Sequence, residues 1–286
     1  MNLTFKPVPD QPGEVLKKYI GLFSTCFPSA THFSAEYLSW LYWKNPEGSV
    51  VGFDAWDGEK LAAHYVCIPA TIALYGKTCK AMLSLNTATH PDHQGKGLFT
   101  SLAAKTYELG ASIGIECVFG VANANSTPGF LKKLNFTKIA PLDAKAGFGR
   151  LQAQLGAVEK YAEFRRVWTK ETLAWRLSNP INPVSLFGQG ADILCLASAR
   201  KLLFGAIAEI PRFDDLPVSA HRGFYPIRAY IGLVPSQLGG LKGYYFELPQ
   251  AMRPSPLNLI FRPLVDGLGV PTKEGVLLSF LDFDAF

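Results

Sequence analysis

Leu83-Ser84-Leu85-Asn86-Thr87-Ala88-Thr89-His90-Pro91-Asp92-His93-Gln94-Gly95-Lys96-Gly97-Leu98-Phe99 is the stretch on which the reading of this chain turns. An apolar strand ends at a proline-containing turn, the chain runs through Gln94-Gly95-Lys96-Gly97, and a helix begins. At a helix start, successive backbone N–H groups have no intrahelical partner, and the helix dipole adds partial positive charge. Such a junction is an anion site suited to a pyrophosphate, and glycine lets the backbone approach a ligand with no Cβ between them. Two phosphate-binding patterns are excluded. The dinucleotide fingerprint fails because Thr100 stands where its third glycine belongs, and the Walker lysine arrangement is absent.

Working outward, Pro12 to Phe23 carries Val15, Tyr19, Ile20 and Phe23 at helical spacing, and Ser34 is placed to cap a second helix reaching Tyr42. From Ser49 to Pro91 the pattern is β: Val50 to Trp56, Leu61 to Ile68, Ala70 to Tyr75 and Ala81 to Thr89, separated by Asp57-Gly58 and Tyr75-Gly76-Lys77. A helix from Gly97 to Gly110, an apolar strand from Cys117 to Ala122 and a short helix from Ser126 to Leu134 follow. A right-handed crossover through the Gly97 helix predicts parallel, adjacent strands at 81–89 and 117–122. The second half repeats part of the first. Ser34-Ala35-Glu36-Tyr37-Leu38-Ser39-Trp40 matches Thr169-Lys170-Glu171-Thr172-Leu173-Ala174-Trp175, and Asn45-Pro46 and Phe53 recur as Asn179-Pro180 and Phe187. A duplication follows, with Leu142–Phe164 joining the halves and strands at Ile193–Ala197 and Leu203–Ile210 in the second copy.

Hydrophobic residues make up 48% of the 286 residues and charged ones 18%, which fits a folded protein with a sizeable core. No apolar run approaches the ~20 residues that a membrane-spanning helix needs, and Met1 to Lys6 lacks the layout of a secretory signal. The expectation is a cytoplasmic protein with no membrane partner. Five cysteines with no C-x-x-C pair argue against a metal site or a disulfide framework. The net charge of +5 is spread over scattered basic pairs such as Lys17-Lys18, Lys132-Lys133 and Arg165-Arg166, without the dense stripe of a nucleic-acid binder.

Gln94-Gly95-Lys96-Gly97-Leu98-Phe99, following a strand and Pro91, resembles the Q/R-x-x-G-x-G/A signature of the GNAT superfamily of N-acetyltransferases. Phe119 to Phe136, with Asn123-Ala124-Asn125-Ser126-Thr127-Pro128-Gly129-Phe130 and the closing Leu134-Asn135-Phe136, is similar to that family's next strand, substrate-side helix and L-G-F ending. The resemblance spans roughly residues 49–140. It implies an α/β fold with a mixed central sheet flanked by helices, and acetyl-CoA or a longer acyl-CoA as co-substrate. The cofactor contacts it implies are Thr87 and Thr89, the turn Gln94, Gly95, Lys96, Gly97, Leu98, Phe99 and Thr100, and Asn123, Asn125 and Phe130. Phe99 replaces a small residue, so its ring must point away from the phosphates. Asn135 replaces a glycine, and Leu131 stands where many relatives carry a tyrosine that protonates the departing thiolate. The positions that often hold a base fall on Leu83 and Leu85, which by strand alternation share a face with Thr87 and Thr89. No strong acid or base stands at the customary places. His90 reads as turn packing rather than a base, and Asn123, the one catalytic candidate named, is equally placed to cap the following helix.

The second copy has no equivalent turn: Gln237-Leu238-Gly239-Gly240 leads into the strand-like Gly243-Tyr244-Tyr245-Phe246. Domains are therefore expected at 1–145, binding acyl-CoA, and 146–286, a degenerate GNAT-like lobe shaping the acceptor pocket. The Trp-rich helix, the cofactor turn and Leu281-Asp282-Phe283-Asp284 resemble bacterial tandem-GNAT N-acyltransferases of surface-polysaccharide pathways, including those acting on dTDP-linked 3-amino-3,6-dideoxyhexoses such as the galactose-configured sugar. That narrower likeness implies a nucleotide-linked amino sugar as acceptor, with Asp282 and Asp284 on one side of a strand gripping it. Tyr42, Trp43 and Tyr244 are candidates to stack on it. Rival readings are a peptide, polyamine or drug N-acetyltransferase and a non-catalytic acyl-CoA sensor. The acyl chain and a homo-oligomeric state stay open.

Overall fold

Residues 3–189, 192–200, 204–249 and 255–283 are described by a computed structural model of the chain. In the first half, β1 (Leu3–Pro7) is followed by α1 (Val15–Cys26) and α2 (Ala35–Trp43), then the antiparallel meander β2 (Val51–Asp57), β3 (Lys60–Leu74) and β4 (Lys77–Thr89). Next come α3 (Leu98–Ser112), β5 (Cys117–Ala122), α4 (Thr127–Lys133), β6 (Thr137–Pro141) and β7 (Asp143–Phe148). As the crossover rule predicts, β4 and β5 are parallel neighbours. The two strands expected on either side of Pro69 are one strand. Proline survives inside β3 because its edge there faces a gap between two partners: β2 pairs it as far as Cys67 and the next strand begins at Ile72, so no ladder needs the missing N–H. Asn45 closes the gap by donating to the Pro69 carbonyl at 2.9 Å.

The second half runs through α5 (Val158–Tyr161), β8 (Phe164–Arg166), α6 (Lys170–Leu177), β9 (Ser185–Gln189), β10 (Asp192–Arg200), β11 (Phe204–Pro211), β12 (Ile227–Leu233), β13 (Tyr244–Glu247), β14 (Asn258–Pro263) and β15 (Val276–Ser279). It echoes the first: β9, β10 and β11 form a meander and β11 pairs parallel with β12. The division expected at residue 145 falls inside β7, and the halves exchange strands across it. β14 inserts between β5 and β6, while β7 inserts between β12 and β13. Each lobe thus completes its sheet with a strand from the other, which is why no flexible linker punctuates Leu142–Phe164. β8 and β15 join the two sheets into one continuous ladder from β3 to β12.

One face of the first sheet packs α3 and α4 around Tyr65, Met82, Leu102, Val118 and Phe130. The opposite face packs α1 and α2 around Tyr19, Phe23, Leu38 and Tyr42, and further along meets the second lobe around Phe119, Phe164, Phe261 and Val276. The two helices of similar sequence, α2 and α6, touch through tryptophans at matching positions. Trp40 and Trp175 stack at 4.9 Å, and each indole N–H donates to the other residue's carbonyl, at 2.9 and 3.1 Å. Ser34 and Thr169 cap the two helices at matching positions. Trp175→Phe, which removes one of the reciprocal hydrogen bonds and shrinks the stack, is expected to cost about 1–2 kcal/mol in denaturant unfolding.

Candidate active site

Gln94 to Gly97 links β4 to α3, as the sequence requires. Gly95 and Gly97 have φ of 75° and 71°, the left-handed region that glycine enters without penalty, and ideal Cβ atoms there would meet nothing within 4 Å. Both open sides face free space. The Gln94 N–H is taken by the Pro91 carbonyl at 3.2 Å, so the run of free amides begins one residue later than the sequence reading placed it. Among the described residues, the amides of Gly95, Gly97, Leu98, Phe99 and Thr100 make no hydrogen bond. They sit at the positive end of a 15-residue helix and border a cavity of about 210 Å³ that also includes Thr89 and Lys133. Unpaired amides, a helix dipole and a lysine ammonium fit a diphosphate. The Lys96 side chain turns back onto the loop, donating to the Asp92 carbonyl at 2.9 Å and lying 3.3 Å from His93 Nδ1.

The second element is a cleft of about 570 Å³. β4 and β5 pair only from Ala81↔Cys117 to Ser84↔Gly120, after which the strands part. A β-bulge helps them do so: Asn86 and Thr87 together oppose Tyr65, between the pairs His64↔Ala88 and Val66↔Leu85, with Asn86 at φ 41°. The bulge also overturns the alternation expected from sequence. Leu85 and Ala88 face the α1–α2 core, whereas Thr89 pairs with Ala63 on the α3 side, so Thr87 and Thr89 do not share a face with Leu83 and Leu85. The cleft is lined on one side by Ser84–Thr87, on the other by 120–123, and reaches Phe99 and Phe130 on the α3 side and Phe27 at the end of α1. It therefore passes through the sheet at the point of divergence. Among the described residues that line it, none is ionisable.

The Phe99 ring points into the core as its size demands, edge-on to Phe130 at 5.2 Å and Tyr65 at 6.0 Å. Gly129 makes room for it: a Cβ there would lie 3.1 Å from the ring. Phe130 is buried in the same cluster and also lines the cleft. Leu131 packs partly buried against this core. Asn123 lines the cleft, and its side chain braces the turn that leads into α4. Its Oδ1 accepts from the Asn125 and Ser126 amides at 3.0 and 2.9 Å, and a carboxamide so engaged has no basic site to offer. Asn125 lines the cleft beside it. His90 accepts the Asp92 amide at 3.2 Å and caps the turn. His90→Ala is accordingly expected to leave turnover within a few-fold of wild type, checked by initial rates of thiol release; a thousand-fold loss would make it the base.

The acceptor residues suggested by sequence are not brought together. Tyr42 is fully buried and cannot stack on a ligand. Trp43 donates its indole N–H to the Pro9 carbonyl at 2.9 Å. Tyr244 is exposed and stacks on Phe148 at 5.0 Å, on β13 at the outer edge of the second sheet. Asp282 lies in a 3-10 turn rather than a strand. It is buried, accepts from the Ser279 amide and hydroxyl at 2.7 and 3.0 Å and from Trp168, and burial pushes its carboxyl up. Asp284 lies outside the described residues.

What the sequence reading missed is a buried polar chain leading to the bulge. Tyr19 donates to Asp54 Oδ2 at 2.8 Å, Asp54 Oδ1 meets His64 Nδ1 at 2.7 Å, His64 Nε2 meets the Tyr42 hydroxyl at 2.9 Å, and Asn86 Nδ2 donates to Tyr42 at 3.1 Å. Burial, and for Tyr19 the neighbouring Asp54 charge, pushes both phenols up, so they stay protonated. Asp54 and His64 were detectable only as polar residues inside apolar strands.

A model of the acetyltransferase (GNAT) domain family matches residues 12–139, a stretch that includes the β4–α3 turn and both walls of the cleft. Among solved structures, a GCN5-related N-acetyltransferase from Anabaena variabilis has a TM-score of 0.61 at 10% identity, covering 92% of this chain and 73% of that one. One from Kribbella flavida has a TM-score of 0.61 at 10% identity, covering 92% and 72%. Eis1 from Mycobacterium abscessus has 0.56 at 10%, covering 92% and 74%. These likenesses span both lobes and show the shared fold. No curated protein matches. The protein is a CoA-dependent N-acyltransferase with acetyl-CoA or a related acyl-CoA as co-substrate. No helix among the described residues is long and apolar enough to cross a membrane.

Proposed function

We propose that the acceptor is the amino group of a nucleotide-linked amino sugar, such as a dTDP-linked 3-amino-3,6-dideoxyhexose, acylated for a surface polysaccharide. The observation that carries this reading is the cleft lined by hydroxyls, carboxamides and apolar groups, with no ionisable side chain among its described lining residues. A strongly basic amine such as that of lysine arrives protonated near neutral pH and needs a base to free its lone pair. An amine on a sugar ring, flanked by electron-withdrawing oxygens, is less basic and needs no such help. When bound, the acyl-CoA supplies an electrophilic thioester carbonyl and a thiolate leaving group. The chain's own part is to hold and align. The amides of Gly95 and of Gly97 to Thr100, with Lys133, would grip the diphosphate, and β4 and β5 beyond Ser84 and Gly120 would flank the rest of the arm. Alignment of amine and thioester then carries the reaction. The test is thiol release from acetyl-CoA with a panel of amines. Release with the dTDP-amino sugar well above that with spermidine or a lysine peptide is expected, and release confined to the strongly basic amines would overturn the reading.

A further inference from the structure

We propose that Asn86 orients the incoming amine, and that the buried chain Asp54–His64–Tyr42 holds its carboxamide in the one of two flips that permits attack. Asn86 stands at the bulge, in the left-handed conformation that asparagine tolerates better than most residues, and it lines the cleft. Its Nδ2 is turned to Tyr42, and its Oδ1 has no hydrogen-bond partner among the described residues. An oxygen facing the cleft accepts an N–H of the amine and leaves the lone pair free. In the opposite flip the carboxamide N–H would donate to that lone pair and block it.

The chain makes the first flip the stable one, link by link. The Asp54 carboxylate only accepts, so the Nδ1 hydrogen of His64 points to it. In the neutral imidazole Nε2 then takes the Tyr42 hydroxyl hydrogen, and the Tyr42 oxygen is left to accept from Asn86. Flipping Asn86 would set oxygen against oxygen, or pull the hydroxyl hydrogen away and leave a buried imidazole nitrogen unpaired. Tyr42, His64 and Asp54 are buried on the α1–α2 side of the sheet, opposite the α3 turn. Asn86 is thus held from the α1–α2 side while the β4–α3 turn lies on the other. Asn86 touches substrate; Tyr42 is a positioning residue acting through it.

This inference rests on the cleft being the acyl-transfer site, not on the acceptor being a sugar. The test uses Asn86→Gly, which keeps the positive φ while deleting the carboxamide, together with Tyr42→Phe and the double variant. Thiol release is measured at saturating acetyl-CoA against whichever amine of the panel the wild type acylates, and acetyl-CoA affinity is followed by calorimetry. Asn86→Gly is expected to lower kcat/KM for the amine at least about tenfold, with the acetyl-CoA Kd within about twofold of wild type. Tyr42→Phe should lower it by about tenfold in the wild-type background and not at all in the Asn86→Gly background, because its action passes through Asn86. A merely structural tyrosine would lower the rate equally in both. Asn86→Gly with an unchanged kcat/KM, or independent losses from the two substitutions, would overturn the proposal. Loss of acetyl-CoA binding is read from the turn variants below, so failure of the cofactor placement is distinguished from failure of this inference.

Discussion

Gly97→Glu is expected to abolish measurable acetyl-CoA binding, a loss of about a hundredfold or more in Kd. At φ 71° and with nothing within 4 Å of its ideal Cβ, position 97 aims a new side chain into the open space beside the free amides. A carboxylate there would meet a diphosphate with like charge at the spot where the helix dipole offers positive charge. Any L-residue in this conformation also costs roughly 1–2 kcal/mol in backbone strain, so Gly97→Asn serves as the control: it tolerates the conformation, carries no charge, and should retain much of the affinity. Calorimetric titration with acetyl-CoA alongside thermal unfolding separates the two effects. An unaltered affinity in a folded Gly97→Glu protein removes this turn from the binding site.

Asp54→Ala is expected to destabilise the protein by about 3–5 kcal/mol, among the larger effects open to a single substitution. Asp54 is 1% exposed and accepts from both Tyr19 and His64. Truncation leaves two donors in a core that water does not reach, and each unmet donor costs desolvation with nothing returned. Asp54→Asn, which keeps one acceptor oxygen, should lose less. Guanidinium unfolding gives the answer as a lower midpoint with an unchanged slope. A change under about 1 kcal/mol would mean that the site relaxes or hydrates freely, and the rigid hold on Asn86 would go with it.

The two lobes contribute unequally to the cleft and the turn. The first supplies the turn, the bulge and both walls of the cleft, while β14 of the second lies against β5 and brings Ile260 to the cleft. The second lobe's own Gly239-Gly240 pair follows a 3-10 turn and leads to β13, not to a helix, so it offers no matching anion site. The two similar stretches share the paired tryptophans and the helix caps, which are structural, and not the Gln94–Gly97 turn. Because each sheet is completed by a strand of the other lobe, neither half has its full set of strand partners alone.

The junction from β4 to α3, the parallel neighbours β4 and β5, the helix caps at Ser34 and Thr169 and the repeat itself were legible in the amino-acid order. All of these follow from properties of adjacent residues: side-chain period, glycine and proline conformation, and unpaired amides at a helix start. Tertiary structure alone decided the register shift at Asn86, the parting of β4 from β5 beyond Ser84, the exchange of β7 and β14, and the descent of Tyr42 and Asp282 into the interior. Strand partners and buried polar contacts pair residues far apart in the chain, and a bulge of one residue reverses every side chain beyond it. A tyrosine that can stack on a ligand and one that closes a hydrogen-bond chain look the same until their neighbours are in place.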